Sequence, residues 1–372
     1  MLIRTKHIKI VAAWVLLGVA GSCIREEPPC PYADIEAFSL PGHIMQSEAT
    51  INGENISVFI RHTVDVSAIA PTIVLSEGAT IKPSADTPQD FSQPVTYTVT
   101  AADGKHQRVY TVQLISTPLY VYGFEHWEVL DKTNKYETPV EYDLRGIRST
   151  PWDSSNKGIA IYQQYTDASL YPIHKTTRSA EGQYAVEMLT KQGPGSILGI
   201  VHIPVVAGSL FTGVLNPLNA LKNPLLATAF GQPFDEKPLR MTGKYIYQPG
   251  AGYYIDSKGT PHPEKKDSCA VYAVFFRSDK TLERLDGTNI LTHPHIVAVA
   301  MLPSEDRAGT PGNDFASFDI PFVYDKNHVV DFERNTYKLA IVFSSSFMGD
   351  YYEGTPGSCL IVDDIAIKTE EK

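Results

Sequence analysis

The sequence predicts an all-β protein made of two β-sandwiches in tandem, a small one followed by a larger jelly roll. Three observations carry this. Apolar residues recur with period two in short runs, as at Ile56, Val58 and Ile60, the pattern of a strand with one buried face. Turn chemistry separates those runs, with signals at Asn52-Gly53 and Asp103-Gly104 in a chain that holds 26 Gly and 26 Pro. Long amphipathic helical patterns are absent.

At 372 residues the chain is long enough for two domains of the usual size, about 100–200 residues each. A hydrophobic content of 43%, with 20 Tyr and 15 Phe, suits a β-rich chain that buries a real core. The formal net charge of −10 argues against a nucleic-acid partner, because phosphate binding needs clustered Lys and Arg and no basic stripe appears. The same charge repels anionic lipid, so any membrane attachment has to be covalent. Cys23, Cys30, Cys269 and Cys359 form no CxxC pair, which argues against a zinc knuckle or a thioredoxin-type site.

The amino terminus supplies an address. Arg4, Lys6 and Lys9 precede an uncharged apolar run from Ile10 to Ala20. That run is shorter than the roughly 20 residues a bilayer span takes, so residues 1–22 read as a signal peptide. Val19-Ala20-Gly21-Ser22-Cys23 resembles the lipobox of bacterial lipoproteins, with Ala20 where Leu is usual, and implies lipidation at Cys23. Cleavage elsewhere, as in an ordinary secreted protein, is the alternative. Ile24-Arg25-Glu26-Glu27 is similar to the export tag of Bacteroidota surface lipoproteins. Residues 23–32, with Pro28-Pro29-Cys30-Pro31, read as a stiff linker. The expected location is the outer membrane, lipid-anchored and facing outward.

Residues 33–117 form the first expected domain. Ile35, Phe38 and Leu40 open it, and Ile73, Leu75, Ala79 and Ile81 suggest one or two strands around Ser76-Glu77-Gly78. The runs Val95–Thr100 and Val109–Leu114 flank the Asp103-Gly104 turn as a hairpin. Six or seven short strands make a small β-sandwich. The segments Ile69-Ala70-Pro71-Thr72, Ser76–Ala79, Asp90-Phe91-Ser92 and Tyr97–Gly104 resemble Ig-like modules of Bacteroidota surface lipoproteins. That resemblance implies a spacer that holds a distal domain off the membrane.

Residues 118–372 form the second expected domain. Strands are expected at Tyr120–Trp127, Gly158–Tyr162, Tyr184–Thr190, Ile197–Pro204, Tyr245–Gln248, Ala270–Phe276, His295–Met301, Ser317–Tyr324, Tyr337–Ser344 and Leu360–Ile367. This many strands with long loops suggests a two-sheet jelly roll. Gly123-Phe124-Glu125-His126-Trp127, Trp152–Gly158, Tyr171-Pro172, Val206–Gly213, Phe230–Phe234, Gly243-Lys244-Tyr245, Ser344–Tyr352 and Ser358–Ile365 together resemble the Bacteroidota family known as the putative carbohydrate metabolism domain. The resemblance runs in order from about residue 120 to the end. It implies a jelly roll connected with glycans.

Within this domain, two groups of residues are candidates for chemistry. Glu125 near the start, with Asp363 and Asp364 on the closing strand, matches the pattern by which jelly-roll carbohydrate-binding modules hold a structural calcium, a cation that wants six to eight oxygen ligands. Exposed strand-edge charges or ion pairs are the alternative. Aromatic residues form the second group: Trp127, Trp152, Tyr165, Tyr253, Tyr254, Tyr351 and Tyr352 lie in or beside polar segments. A sugar's CH face stacks on such rings while Asn and Asp grip its hydroxyls. Trp152 with Asn156, and Asp350 with Tyr351 and Tyr352, have that mixed character, against the alternative of core packing.

Cleavage of a glycoside needs two carboxylates facing across a cleft about 5–9.5 Å apart, and Glu125, Asp153, Asp350 and Glu353 are common residue types that spacing alone does not single out. His293-Pro294-His295 lacks a third ligand and reads as a turn. No G-x-S-x-G, P-loop or H-E-x-x-H occurs. Cys269 and Cys359 are either a disulfide or two free thiols. The expectation is a surface protein that binds glycan without cleaving it. A glycoside hydrolase, or an adhesion or envelope subunit that contacts protein, are the alternatives.

Overall fold

The structure, a computed structural model, describes residues 29–370 apart from 42–43, 62, 86, 118–119, 130–134, 144, 198, 200 and 220–222. Cys23 and the signal-peptide segment lie outside the described residues.

The first sandwich packs a five-stranded sheet on a two-stranded one. The larger sheet runs Thr50–Asn52, Asn55–Arg61, Gln107–Thr117, Val95–Thr100, Thr80–Lys82, and the smaller pairs Ile35–Ser39 with Thr72–Leu75. Both turn signals act as read: Asn52 pairs with Asn55 across Gly53, and Thr100 pairs with Gln107 beyond Gly104. Gly53 and Gly104 sit at φ of 61° and 68°, where a Cβ is strained. The period-two residues Ile56, Val58 and Ile60 are wholly buried against Phe38, Leu40 and Phe91. Each contributes on the order of 2 kcal/mol by leaving water.

The second sandwich is larger. One sheet runs Trp152–Ser154, Ser209–Leu215, Thr336–Ser344, Ala270–Ser278, Ile296–Met301, Val323–Tyr324, with Thr228–Phe230 and Gln232–Pro233 attached. The other runs Ile173–Thr176, Ala185–Leu189, Cys359–Thr369, Pro238–Gln248, Ala316–Pro321, with Val121–Tyr122 beside the closing strand. The chain is therefore all-β, and its last strand is central in its sheet.

Alternation explains the layering. In Ala270–Ser278, the odd residues Val271, Ala273 and Phe275 join Ile341, Phe343, Tyr247 and Val362 in the core between the sheets. The even residues Ala270, Tyr272, Val274 and Phe276 face the other way, and they too are buried, with Phe211, Phe230, Ala340 and Val342. A strand apolar on both faces must be covered on both. Here loops cover the outer face, and that cover creates the site described below.

Four segments depart from the expected elements, among them Ser317–Tyr324, which divides into Ala316–Pro321 in one sheet and Val323–Tyr324 in the other. Gly158–Tyr162 is not a strand: Asn156–Ile159 is a helical turn. Its cause is tertiary, because the Asn156 side chain donates to the Ile173 carbonyl (2.7 Å) and accepts the Ile173 N–H (3.0 Å). Tyr120–Trp127 is two strands, split where Phe124 takes φ 54°. Ile197–Pro204 is not one strand but overlaps two antiparallel partners, Lys191–Ile197 and Val201–Val206.

The sandwiches touch through polar contacts. Gln46 donates to Asp235 (3.3 Å) and Arg61 to the Phe332 carbonyl (3.3 Å). Asp143, itself buried, accepts the Ser116 N–H (2.9 Å), and Arg145 donates to the carbonyls of Phe91 and Leu114. Among the described residues no helix is long and apolar enough to cross a membrane.

Candidate functional site

A cleft of about 270 Å³ lies on the outer face of the larger sheet. Its floor is Phe211, Phe230, Ala270, Tyr272 and Val342, the outward residues of four strands. Its walls include Ile159 at the end of the helical turn and Tyr162 after it, Ile203, Val206 and Ala207 in and just after a hairpin strand, Pro217, Pro224 and Ile290 from loops, and Phe347, Gly349, Asp350 and Tyr352 after Thr336–Ser344. Ile161, itself a lining residue, and Leu218, Leu226, Leu291 and Tyr351, next in sequence to lining residues, are large side chains left exposed.

The polar side of the cleft is the segment 344–352. It is held from beneath by a buried hydroxyl network. Thr190 shares hydrogen bonds with Ser345 (2.7 Å) and Ser346 (2.6 Å), and Ser209 with Ser344 (2.8 Å). Asp267 is the hub: one of its oxygens accepts from Ser346 Oγ (2.6 Å), Thr355 N (2.7 Å) and Ser358 Oγ (2.8 Å), and the other from Ser268 N (2.9 Å). Burial raises the Asp267 carboxyl above its ordinary range even so. Glycine is required at Gly349, where a Cβ would stand 2.4 Å from the Ala207 Cβ. The chain then turns through Gly349–Tyr351 and leaves with Tyr352 at φ 62°.

This turn presents Asp350 and Tyr352 to the cleft. Asp350 is solvent-accessible as a residue, but its carboxyl is crowded by the cleft wall, and that desolvation, with a smaller push from Glu353, raises it to about 6. Tyr272 on the floor is shifted upward by its own burial, and the Asp350 charge adds to the shift. Among the described lining residues Asp350 is the single charged side chain. Glu353 is committed elsewhere, accepting from Tyr254 Oη (3.0 Å) and Lys265 Nζ (3.5 Å). An apolar, aromatic cleft with one carboxylate can stack a ring face and accept hydrogen bonds from hydroxyls.

The other sequence candidates fall in different places. Trp152 is buried, with its ring beside Tyr122 (5.1 Å between centroids) and its Nε1–H on Glu141 (3.0 Å), so it cannot stack on a ligand. Asn156 is buried and both ends of its amide serve Ile173, so it too is corrected from contact residue to architecture. Tyr351 is exposed beside the cleft. Trp127 donates to the Phe124 carbonyl (2.6 Å), and Tyr165 packs edge-on to Tyr171 (5.0 Å). Cys269 and Cys359 are free thiols, and the His293 and His295 rings pack at 4.9 Å in a turn.

Glu125 and Asp363 do come together, around the turn 180–184. Glu125 accepts the N–H of Gln183 (2.9 Å) and Tyr184 (3.3 Å), while Asp363 accepts those of Ala180 (2.7 Å) and Glu181 (3.0 Å). Burial first, and then the nearby Glu125 charge, push the Asp363 carboxyl up. Asp364 sits at a bulge with φ 51°. Calcium needs converging oxygens, but the groups facing these carboxylates are N–H donors, which repel a cation. Among the described residues no group of three or more Asp, Glu, His or Cys could hold a metal. The arrangement does not fit a calcium cage. It is a clasp on a turn.

Sequence reasoning missed Tyr162, Phe211, Tyr272 and Phe347. The available signal was the unbroken apolar run Ala270–Phe276, which implies cover on both faces.

A family model described as "Putative carbohydrate metabolism domain" matches residues 123–368, and one described as "SGBP, N-terminal" matches residues 35–114. A crystal structure of a "putative glycoside hydrolase" from Bacteroides thetaiotaomicron VPI-5482 is 34% identical, with 94% of this chain and 100% of that one covered and a TM-score of 0.72. A second "putative glycoside hydrolase", from Bacteroides vulgatus ATCC 8482, is 27% identical over 68% of this chain and 98% of its own, at a TM-score of 0.60. No curated protein matches.

Proposed function

Since the chain belongs to the family of the "Putative carbohydrate metabolism domain", we propose that it is a cell-surface protein that binds glycan in the cleft beside Asp350 without cleaving it. The observation that carries this reading is the cleft itself, with aromatic side chains Tyr162, Tyr272 and Tyr352 around one hydrogen-bonding carboxylate. Tyrosine faces and a carboxylate are the two kinds of contact a sugar ring uses.

Cleavage by paired carboxylates is the alternative, and the names of the two Bacteroides structures favour it. It needs a second carboxylate about 5–9.5 Å from the first. Asp350 has no carboxylate partner among the described lining residues, and Glu353 is tied to Tyr254 and Lys265. Binding is therefore the better-supported reading.

The "SGBP, N-terminal" match over residues 35–114 supports a surface address. The hydrogen bonds of Asp143 and Arg145 onto the first sandwich support a spacer that carries the second sandwich without free swivelling. A lipid anchor at Cys23 completes the proposal, with contact to other surface proteins as a secondary role.

The test is retention on a panel of immobilised polysaccharides together with assay of released reducing sugar. Wild type is expected to be retained on at least one polysaccharide with no sugar released. Thr228→Trp, which fills the cleft from a half-buried lining position, is expected to abolish retention. Release of sugar that disappears in Asp350→Asn would favour the hydrolase.

A further inference from the structure

Resting on that reading, we infer that the cleft selects uncharged sugars bearing an apolar substituent, of the N-acetylated or deoxy class, and rejects glycans bearing carboxylate or sulfate. Two independent features of the lining lead there. The first is charge. Asp350 is the single charged residue among the described residues that line the cleft, and no Lys, Arg or His accompanies it. The guanidinium of Arg307 lies 4.3 Å from the Phe347 ring centroid, but Arg307 is not a lining residue. An anionic sugar in this space would meet a like charge with no counter-charge among the described lining residues, a costly arrangement in a partly desolvated site.

The second feature is the distribution of polarity. Phe211, Leu215, Phe230, Ile159, Ile290 and Val342 offer no hydrogen bond to a ligand. The serines that line the cleft are largely occupied: Ser209 and Ser344 pair with each other (2.8 Å), and Ser346 donates to Asp267 (2.6 Å). Thr228, Tyr162, Tyr272 and Tyr352 supply the remaining lining hydroxyls, and a hexose that turns its own hydroxyls to the apolar wall rather than to these would bury several of them unpaired, at roughly 1–3 kcal/mol each. A methyl or acetamido methyl against the same wall gains about 0.8 kcal/mol instead. At about 270 Å³ the cleft sits at the low end of ligand sites, so it holds one such sugar unit and leaves the rest of the chain outside.

The experiment measures affinity of the full-length mature protein for immobilised oligomers of N-acetylglucosamine, N-acetylgalactosamine, fucose, glucose and galacturonate. One of the first three is expected to bind at least about tenfold more tightly than glucose, with galacturonate weakest, a ratio worth about 1.4 kcal/mol. Asp350→Lys is expected to raise the galacturonate affinity, and Thr228→Trp to remove binding of the preferred oligomer. Tightest binding of galacturonate or of glucose by the wild type would overturn the selectivity while leaving the glycan reading intact. Failure of all five oligomers and of every polysaccharide in the wider panel would overturn both.

Discussion

Replacing Asp267 tests whether the loop that carries Asp350 is positioned by a buried acceptor. Asp267 takes four hydrogen bonds, from Ser346, Thr355, Ser358 and Ser268. In Asp267→Ala the Ser346 hydroxyl can turn to Thr190 at 2.6 Å, whereas Ser358, whose oxygen accepts the Gly250 N–H at 3.0 Å, loses the acceptor of its own O–H. The backbone N–H groups of Thr355 and Ser268 have no such freedom. Leaving each without its partner costs about 1–3 kcal/mol, so a loss of about 4 kcal/mol is expected. Part of this is offset because burial already disfavours the charged carboxylate. Urea denaturation followed by tryptophan fluorescence at pH 7 measures it. Glycan retention should fall as well, because Gly354 and Thr355 close the loop that presents Asp350. A stability change below about 1 kcal/mol with retention intact would show that the network does not hold the loop.

Two further expectations concern the carboxylates. Glu141, buried under Trp152, is raised from 4.5 to about 8 by desolvation, so the folded state holds a proton that the unfolded state releases. Stability from this group is therefore full below about pH 4.5 and is lost as pH rises towards 8. Glu141→Gln should match wild type at pH 4 and exceed it by on the order of 4 kcal/mol at pH 8, read from urea midpoints. An equal gain at both pH values would refute this. EDTA should leave the melting temperature of the protein unchanged, since N–H donors face Glu125 and Asp363. A fall reversed by added calcium would restore the metal reading.

The sequence showed the all-β class plainly, because period-two runs and Gly turns are local properties: Ile56, Val58, Ile60, Gly53 and Gly104 act as their neighbours dictate. Pairing is not local. Nothing near Glu125 in sequence says that its partners are the amides of Gln183 and Tyr184, 58 and 59 residues away. Trp152 shows the same limit. Its polar neighbours suggested exposure, yet Glu141 supplies a buried acceptor for its indole. Asn156 looks like a ligand contact until Ile173 arrives to use both ends of its amide. Asp350 and Tyr352 did reach the cleft, because a glycine-bounded aromatic loop after a fully buried strand has few other places to go. The cleft floor was hidden in plain apolar alternation, since Tyr272 and Phe211 look like any core residue until the loops over them are placed.

The most direct measurement of the central claim is polysaccharide retention by wild type and Thr228→Trp side by side, each shown to be folded by an unchanged melting curve. The cleft account expects retention of wild type, loss of at least about tenfold in affinity for the filled cleft, and no reducing sugar from either. Equal retention of both proteins would place glycan binding on another surface and contradict the account.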